Sequence, residues 1–329
     1  LGGTSTGNSV SGAIATLTGT LTKSGAGTLS VSGPNSYAGG TTINAGTLTV
    51  SGVGQLGAGN YSGSISNSGN FIYASTVNQT LGGIISGIGS LTQNGSGTLV
   101  LSGANTYSGA TTINTGTLAL NQATAIGTGT LTIKGGALDN TSGSAKTITN
   151  TNAQNWNGNF TFAGSNDLNM GAGAVTMNAS RTLTVSGGNL TVGGAITGIG
   201  FALTKNGTGT LILSGSNSYS GGTTVNAGAL TLGSTANDLL GTGPVVVNSP
   251  STVSLSITFL TTSSSLMPSS FDCSGICLST SGVRTKPGQI TFERTLCGAP
   301  SLAMTRARPS RPFSKTRCRS FWCGSRTSP

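Results

Sequence analysis

The chain has no histidine, and only 6% of its 329 residues are charged. This pair of shortages removes most of the usual means of acid–base catalysis and of metal binding. Aromatic residues make up 5%, and residues 1–248 contain no cysteine and two of the nine prolines. No run of 18 apolar residues occurs, so no stretch has the length and character of a membrane-spanning helix. Strands of about ten residues flanked by aromatic girdles, the mark of an outer-membrane-type barrel, are also missing from the sequence. No apolar stripe recurs every 3.6 residues, and the dominant Gly, Thr, Ser and Asn are weak helix formers. The chain starts at Leu1 with no basic and apolar leader before it, and it reads as a fragment of a longer protein.

What is present in excess is glycine, 55 residues of it. Glycine without a strict three-residue period excludes collagen. Glycine and serine without patterning would make a linker, but here there is patterning. Gly209–Leu232 reads GTLILSGSNSYSGGTTVNAGALTL, Gly97–Leu120 reads GTLVLSGANTYSGATTINTGTLAL, and Gly27–Val50 reads GTLSVSGPNSYAGGTTINAGTLTV. Each copy has a related run-up: LTGTLTKSGAG over 17–27, IISGIGSLTQNGSG over 84–97, and AITGIGFALTKNGTG over 195–209.

Within the phrase, apolar and small polar residues alternate. Leu211 and Leu213, Val225, then Leu230 and Leu232 share one side of short strands, and the threonines take the other. Asn-rich and Gly-rich bends separate the strands, because glycine adopts positive φ freely and asparagine tolerates it. A three-residue strand cannot bury an apolar face alone. It needs a like strand above and below, which is the logic of a solenoid. The copies start at Gly27, Gly97 and Gly209. Divided by three and by five, the two intervals give roughly 23 and 22 residues per turn, and about 10 turns in residues 1–248.

The shared pattern GTGTLxLSGxNxYSGGTTxNxGxLxL resembles the autotransporter-associated β-strand repeat, also called the passenger-associated transport repeat. It covers 27–50, 97–120 and 209–232 outright, and the texture continues to about Asn248. The resemblance implies an all-β fold, a right-handed parallel β-helix, on a bacterial cell surface, at the outer membrane, or secreted. It implies a non-catalytic structural passenger of a type V (autotransporter) secretion system, with repeats that assist translocation and its own outer-membrane translocator barrel as partner. No cofactor and no nucleic acid is expected. An adhesin that contacts host or matrix glycans is the alternative. A β-helix polysaccharide lyase or hydrolase is a weaker one.

Past Ser249 and Pro250 the composition changes. Residues 249–329 hold all five cysteines, ten of the fifteen Lys and Arg, seven prolines and five glycines. This basic Ser/Arg/Cys/Pro-rich tail reads as disordered, or as translation in the wrong frame. Of the formal net charge of +10, the tail carries most. Cys273, Cys277, Cys297, Cys318 and Cys323 are odd in number and lack paired Cys-x2-Cys spacing, so they suggest neither a zinc site nor a closed disulfide set.

No catalytic, cofactor or metal residue is assigned. Asp139, Asp167 and Asp238, with Lys134, Lys146, Arg181 and Lys205, are a thin supply for glycan chemistry and are expected at turns or on solvated faces. The informative polar positions recur with the phrase. Asn44, Asn114 and Asn226 are expected to bond open backbone groups at a corner. Tyr37, Tyr107 and Tyr219 are expected to cover a corner, with binding as the alternative. Outward Thr-x-Thr pairs such as Thr47/Thr49 and Thr182/Thr184 would form hydroxyl ladders.

Overall fold

The computed structural model describes residues 7–233, 239–258, 284–286, 289–292 and 302–304. Cys273, Cys277, Cys297, Cys318, Cys323 and Asp238 lie outside the described residues, as does most of the tail. Among the described residues, strands of two to seven residues alternate with bends, and the lone helical segment is the 3-10 turn Gly57–Gly59. No described helix is long and apolar enough to cross a membrane.

Pairing between strands of residues 8–258 is parallel throughout, and the chain winds into a β-solenoid of about 12 turns. At about 4.8 Å per stacked strand the rod is about 55–60 Å long. Successive strands visit three faces in fixed order. One face is a ten-stranded sheet and one an eleven-stranded sheet. The third bears a four-stranded sheet near the start and an eight-stranded sheet from Lys146–Thr147 onward. The parallel stack runs past residue 248: Thr252–Thr258 pairs with Ala229–Leu232, with Leu230 opposite Val253. Beyond it the backbones of Gln289–Phe292 and Leu302–Met304 pair antiparallel with Thr252–Thr258 and Val245–Val247.

The pairing corrects the turn length. The first strand of each copy lies on a different face: Leu21–Lys23 in the four-stranded sheet, Ser90–Gln93 in the ten-stranded, Leu203–Asn206 in the eleven-stranded. Each copy therefore starts one face further round than its predecessor. The separations are three and a third and five and a third turns, not three and five. Both intervals between copies then give the same turn, about 21 residues long, or about 7 per face. That shorter turn is why about 12 turns fit where about 10 were expected.

Alternation places the core as expected. Leu29, Val31, Ile43, Leu48 and Val50 are buried, as are Leu99, Leu101, Ile113, Leu118 and Leu120 in the second copy and Leu211, Leu213, Val225 and Leu230 in the third. Leu232, near the end of the parallel stack, is half-buried. Like side chains stack in columns: Leu29 beneath Leu48, Phe71 and Leu91. Full burial of such a side chain contributes about 1.5–3 kcal/mol, and each is covered only because the next turn covers it.

Two features go beyond an apolar inside and a polar outside. The first threonine of each Thr-Thr pair faces inward: Thr41, Thr111 and Thr223 are buried. Glycine is required at corners by close approach of successive turns. Gly89, Gly109 and Gly129 stack there, and a Cβ on Gly109 would lie 2.2 Å from the Gly89 carbonyl oxygen, one on Gly129 2.0 Å from that of Gly109.

Candidate functional site

The repeat's bend SGxNxY replaces a strand on one face of one turn. The bend's backbone continues the ladder only in part, as where Thr106 N–H donates to the Ile85 carbonyl, and leaves other peptide groups of the neighbouring turns open, which is costly when they are buried. An asparagine side chain fills the gap in each copy. The Asn105 Oδ1 accepts the Ile85 N–H of the turn before at 2.8 Å, and its Nδ2 donates to the Ala125 carbonyl of the turn after at 2.6 Å. Asn35 does the same between Ile14 and Gln55, at 2.9 and 3.0 Å. Asn217 links Ile196, at 2.7 Å, to the Leu239 carbonyl. All three asparagines are buried. A carboxamide has one C=O and one N–H₂, so it stands in for the missing peptide unit.

The tyrosine two residues on is wholly inside rather than over a corner. Tyr37, Tyr107 and Tyr219 are buried, with hydroxyls 2.8, 2.6 and 2.6 Å from Oγ1 of Thr41, Thr111 and Thr223. This pairing accounts for the inward threonines. Tyr37 also packs edge-on against Tyr61, with centroids 5.6 Å apart. Burial raises the pKa of all three repeat tyrosines, and pushes that of Tyr219 up to about 12.

The run-up contributes a further interior polar group. In Leu-Thr-Lys or Leu-Thr-Gln the third residue is in phase with the buried leucine and so points in. Lys205 lies between Leu183 and Val225 in the stack, and its Nζ donates to the carbonyls of Asn206, Gly207 and Ala227 at 3.1, 2.7 and 3.0 Å. Lys23 reaches the carbonyls of Gly25 and Ala45. In the second copy Gln93 donates through Nε2 to Gly95 and Gly97 at 3.0 and 2.7 Å, and its buried Oε1 has no partner. Neither lysine makes any of these bonds to a carboxylate.

Burial without a counter-charge lowers the Lys205 pKa to about 8. The group stays protonated in the unfolded chain up to about pH 10.4. Between about pH 8 and 10 the unfolded state therefore binds more protons, and stability rises with pH. Above about pH 10 tyrosines ionise in the unfolded chain while the buried ones stay neutral, and stability falls. Stability, measured by denaturation at stepped pH, is expected to peak between about pH 9 and 10, where the gain at Lys205 gives way to the loss at the tyrosines. In Lys205→Gln the rise between about pH 8 and 10 is expected to shrink.

The three asparagines expected at corners form a different device. Asn44 and Asn226 are exposed and Asn114 is half-buried. The amides of Asn114 and Asn226 bond other asparagines along the outside rather than open backbone: Asn114 Nδ2 donates to Asn94 Oδ1 at 2.9 Å, Asn226 Nδ2 to Asn206 Oδ1 at 2.8 Å, and Asn248 Nδ2 to Asn226 Oδ1 at 2.7 Å. Of the carboxylates described, Asp139 closes the strand Ala137–Asp139 and is buried, and Asp167 precedes the strand Leu168–Asn169. Asp139 accepts from Asn140 and Ser165 N–H and from Ser165 Oγ, and Asp167 accepts from the backbone and side chain of Asn189. Arg181 donates to the Trp156 carbonyl. No group of three or more potential metal ligands occurs among the described residues.

The outward residues of the ten-stranded sheet form a register-locked file: Ser9, Ser30, Thr49, Ile72, Thr92, Thr112, Thr132, Asn155, Thr176 and Thr197. Residues 24–133 carry no charged side chain. This part of the rod thus presents an uncharged surface of hydroxyls, amides and backbone, with Val53, Ile84 and Ile88 exposed among them.

A parallel β-solenoid with one stapled phrase recurring round its axis defines a repeat-built structural rod. Comparison with known proteins gives the repeat its family. The passenger-associated-transport-repeat profile matches residues 21–50, 91–120 and 203–232, which takes in the run-up with its interior lysine or glutamine. The chain carries three passenger-associated-transport repeats. The Adhesin BmaC autotransporter of Brucella suis biovar 1 (strain 1330) is 37% identical over 140 residues, 40% of this chain and 4% of the relative. This chain therefore corresponds to a small part of that protein's length. No solved structure matches. Repeats and relative together indicate an outer-membrane or cell-surface location.

Proposed function

We propose that this solenoid is a non-catalytic passenger segment whose repeats help to carry the chain across the outer membrane, with a translocator barrel as its partner. The observation that carries the reading is the staple. Asn35, Asn105 and Asn217 each bond both the preceding and the following turn. Each repeat is thus completed only when the next turn docks. Solenoids fold turn by turn from one end. Chain that emerges unfolded and stacks outside the pore is biased outward without an external energy source.

Register-preserving deletions in the intact parent test this. Deleting 210–228 brings Ala229 to the place of Thr210, its parallel neighbour, and removes one repeat bend. Deleting 138–161 likewise replaces Leu138 by its neighbour Phe162 in a turn outside the repeats. The first deletion is expected to lower surface display at unchanged synthesis, and the second to leave display near normal. Equal effects of the two would remove the special role of the repeat.

The second reading is an adhesin, favoured by the relative's name and by the uncharged hydroxyl file. Its partner would be a neutral host or matrix glycan met along the ten-stranded sheet.

A further inference from the structure

Among the described residues five large apolar side chains are exposed: Leu17 at 91%, Ile199 at 89%, Ile88 at 75%, Val53 at 59% and Ile84 at 49%. Single apolar residues scattered over a surface need no explanation. These are not scattered. The three most exposed fall one to each repeat, in the run-up and just before its strand: Leu17 before Leu21–Lys23, Ile88 before Ser90–Gln93 and Ile199 before Leu203–Asn206. Both isoleucines are held out by fixed turns. Ile199 sits at the tip of a turn closed by the Phe201 N–H on the Gly198 carbonyl at 3.1 Å, and the Gly200 N–H donates to Ser220 Oγ at 2.7 Å. Ile88 stands between Gly87, whose carbonyl accepts the Ser108 N–H at 2.9 Å, and Gly89, whose N–H donates to the Asn67 carbonyl at 2.8 Å. Glycine flanks each isoleucine on both sides, so no side chain adjacent in the chain covers it.

We propose that these three side chains are knobs for lateral association of the rod with further copies of itself. Because each run-up strand lies on a different face, the knobs stand at three different corners, and about 16 and 25 Å apart along the axis. A flat surface or a single small ligand meets one of them at a time. Like rods standing side by side around a central one meet all three. Residues 24–133 carry no charged side chain, so nothing in that stretch repels a neighbour of the same kind. Val53 and Ile84, exposed in the same stretch, give a neighbour's knob apolar side chains to meet. One aliphatic side chain covers far less than the area of a stable interface, so each contact is weak. Three knobs on each rod make the association multivalent. Turns that already hold the knobs in place limit the entropy lost on contact. The association does not depend on the transport role proposed above.

The test is sedimentation of the purified whole chain, under reducing conditions, over about a hundredfold range of concentration. The mean mass is expected to rise with concentration and to be insensitive to sodium chloride, because the knobs are uncharged. Leu17→Ser, Ile88→Ser and Ile199→Ser are each expected to weaken association by up to about tenfold, and the triple variant to abolish it. The side chains are exposed, so the thermal midpoint of each variant is expected to stay that of the parent. Ile88→Asp, which sets a charge at one contact, is expected to act at least as strongly as Ile88→Ser. A parent chain that stays monomeric over the whole range would overturn the proposal. So would a triple variant that associates as strongly as the parent, or association that high salt removes, since either places the contact elsewhere. A monomeric parent that floats with phosphatidylcholine vesicles, and a triple variant that does not, would assign the knobs to a lipid surface and overturn it equally.

Discussion

Asn105→Leu is expected to destabilise the solenoid more than any other single side-chain change in the repeat. The substitution keeps the volume roughly constant but strands the Ile85 N–H and the Ala125 carbonyl, which bond the carboxamide at 2.8 and 2.6 Å. Each buried group left open costs about 1–3 kcal/mol, so the loss is about 2–6 kcal/mol. Asn105→Asp should recover only part of this, because a carboxylate accepts from Ile85 but offers no donor to Ala125. By contrast, Asn114→Leu on the outer ladder removes an exposed amide pair and is expected to cost less than about 1 kcal/mol. Chemical denaturation of the three variants checks the order. If Asn114→Leu proves the more damaging, the staple is not what holds the bend.

The second large effect is expected at Gly129. Alanine there adds a Cβ that would sit 2.0 Å from the Gly109 carbonyl oxygen and 2.5 Å from its carbonyl carbon. Both obstructing atoms are backbone, so relief requires the two turns to separate. Because the interior is close-packed, that separation also opens the core beneath. A loss of at least about 3 kcal/mol is expected. Gly143→Ala, at a bend where a Cβ meets nothing within 4 Å, serves as the comparison, although its φ of +82° carries some strain of its own. Near-equal midpoints for Gly129→Ala and the parent would mean that the corner spacing is loose.

Much of this architecture is legible in the order of residues. Period-two alternation locates the core side chains of all three copies, since a strand in a stack has only an inside and an outside. What alternation does not show is which polar residues share the inside. Thr41, Lys23 and Asn35 are polar, and polarity alone sends a residue to the surface. The phase of Lys205 against Leu203, two residues before it, is the available signal that it points inward. The choice among asparagines has the same difficulty. Asn-x-Gly draws the eye to Asn44, Asn114 and Asn226, yet the buried amides are in Asn-x-Tyr. Only the three-dimensional stack shows that the bend around Asn105 lacks a strand and so needs an amide to replace it. The turn length escapes the sequence for an arithmetical reason: division by whole numbers of turns fails for copies whose starts differ by a third of a turn.

That third of a turn has a genetic consequence. Near-identical phrases in one coding sequence invite recombination between copies. Exchange between the first and second copies would excise three and a third turns, or ten sides of the prism, and exchange between the second and third would excise five and a third, or sixteen sides. Either event joins like phrase to like phrase, so every remaining turn still finds a compatible neighbour and the rod simply shortens. Neither count is a multiple of three sides. Everything downstream of the junction is rotated by one side relative to everything upstream, and residues that formed one continuous surface are dealt to different ones. A lineage that gains or loses a copy thereby changes which surface patterns line up along the rod while its interior stays the same.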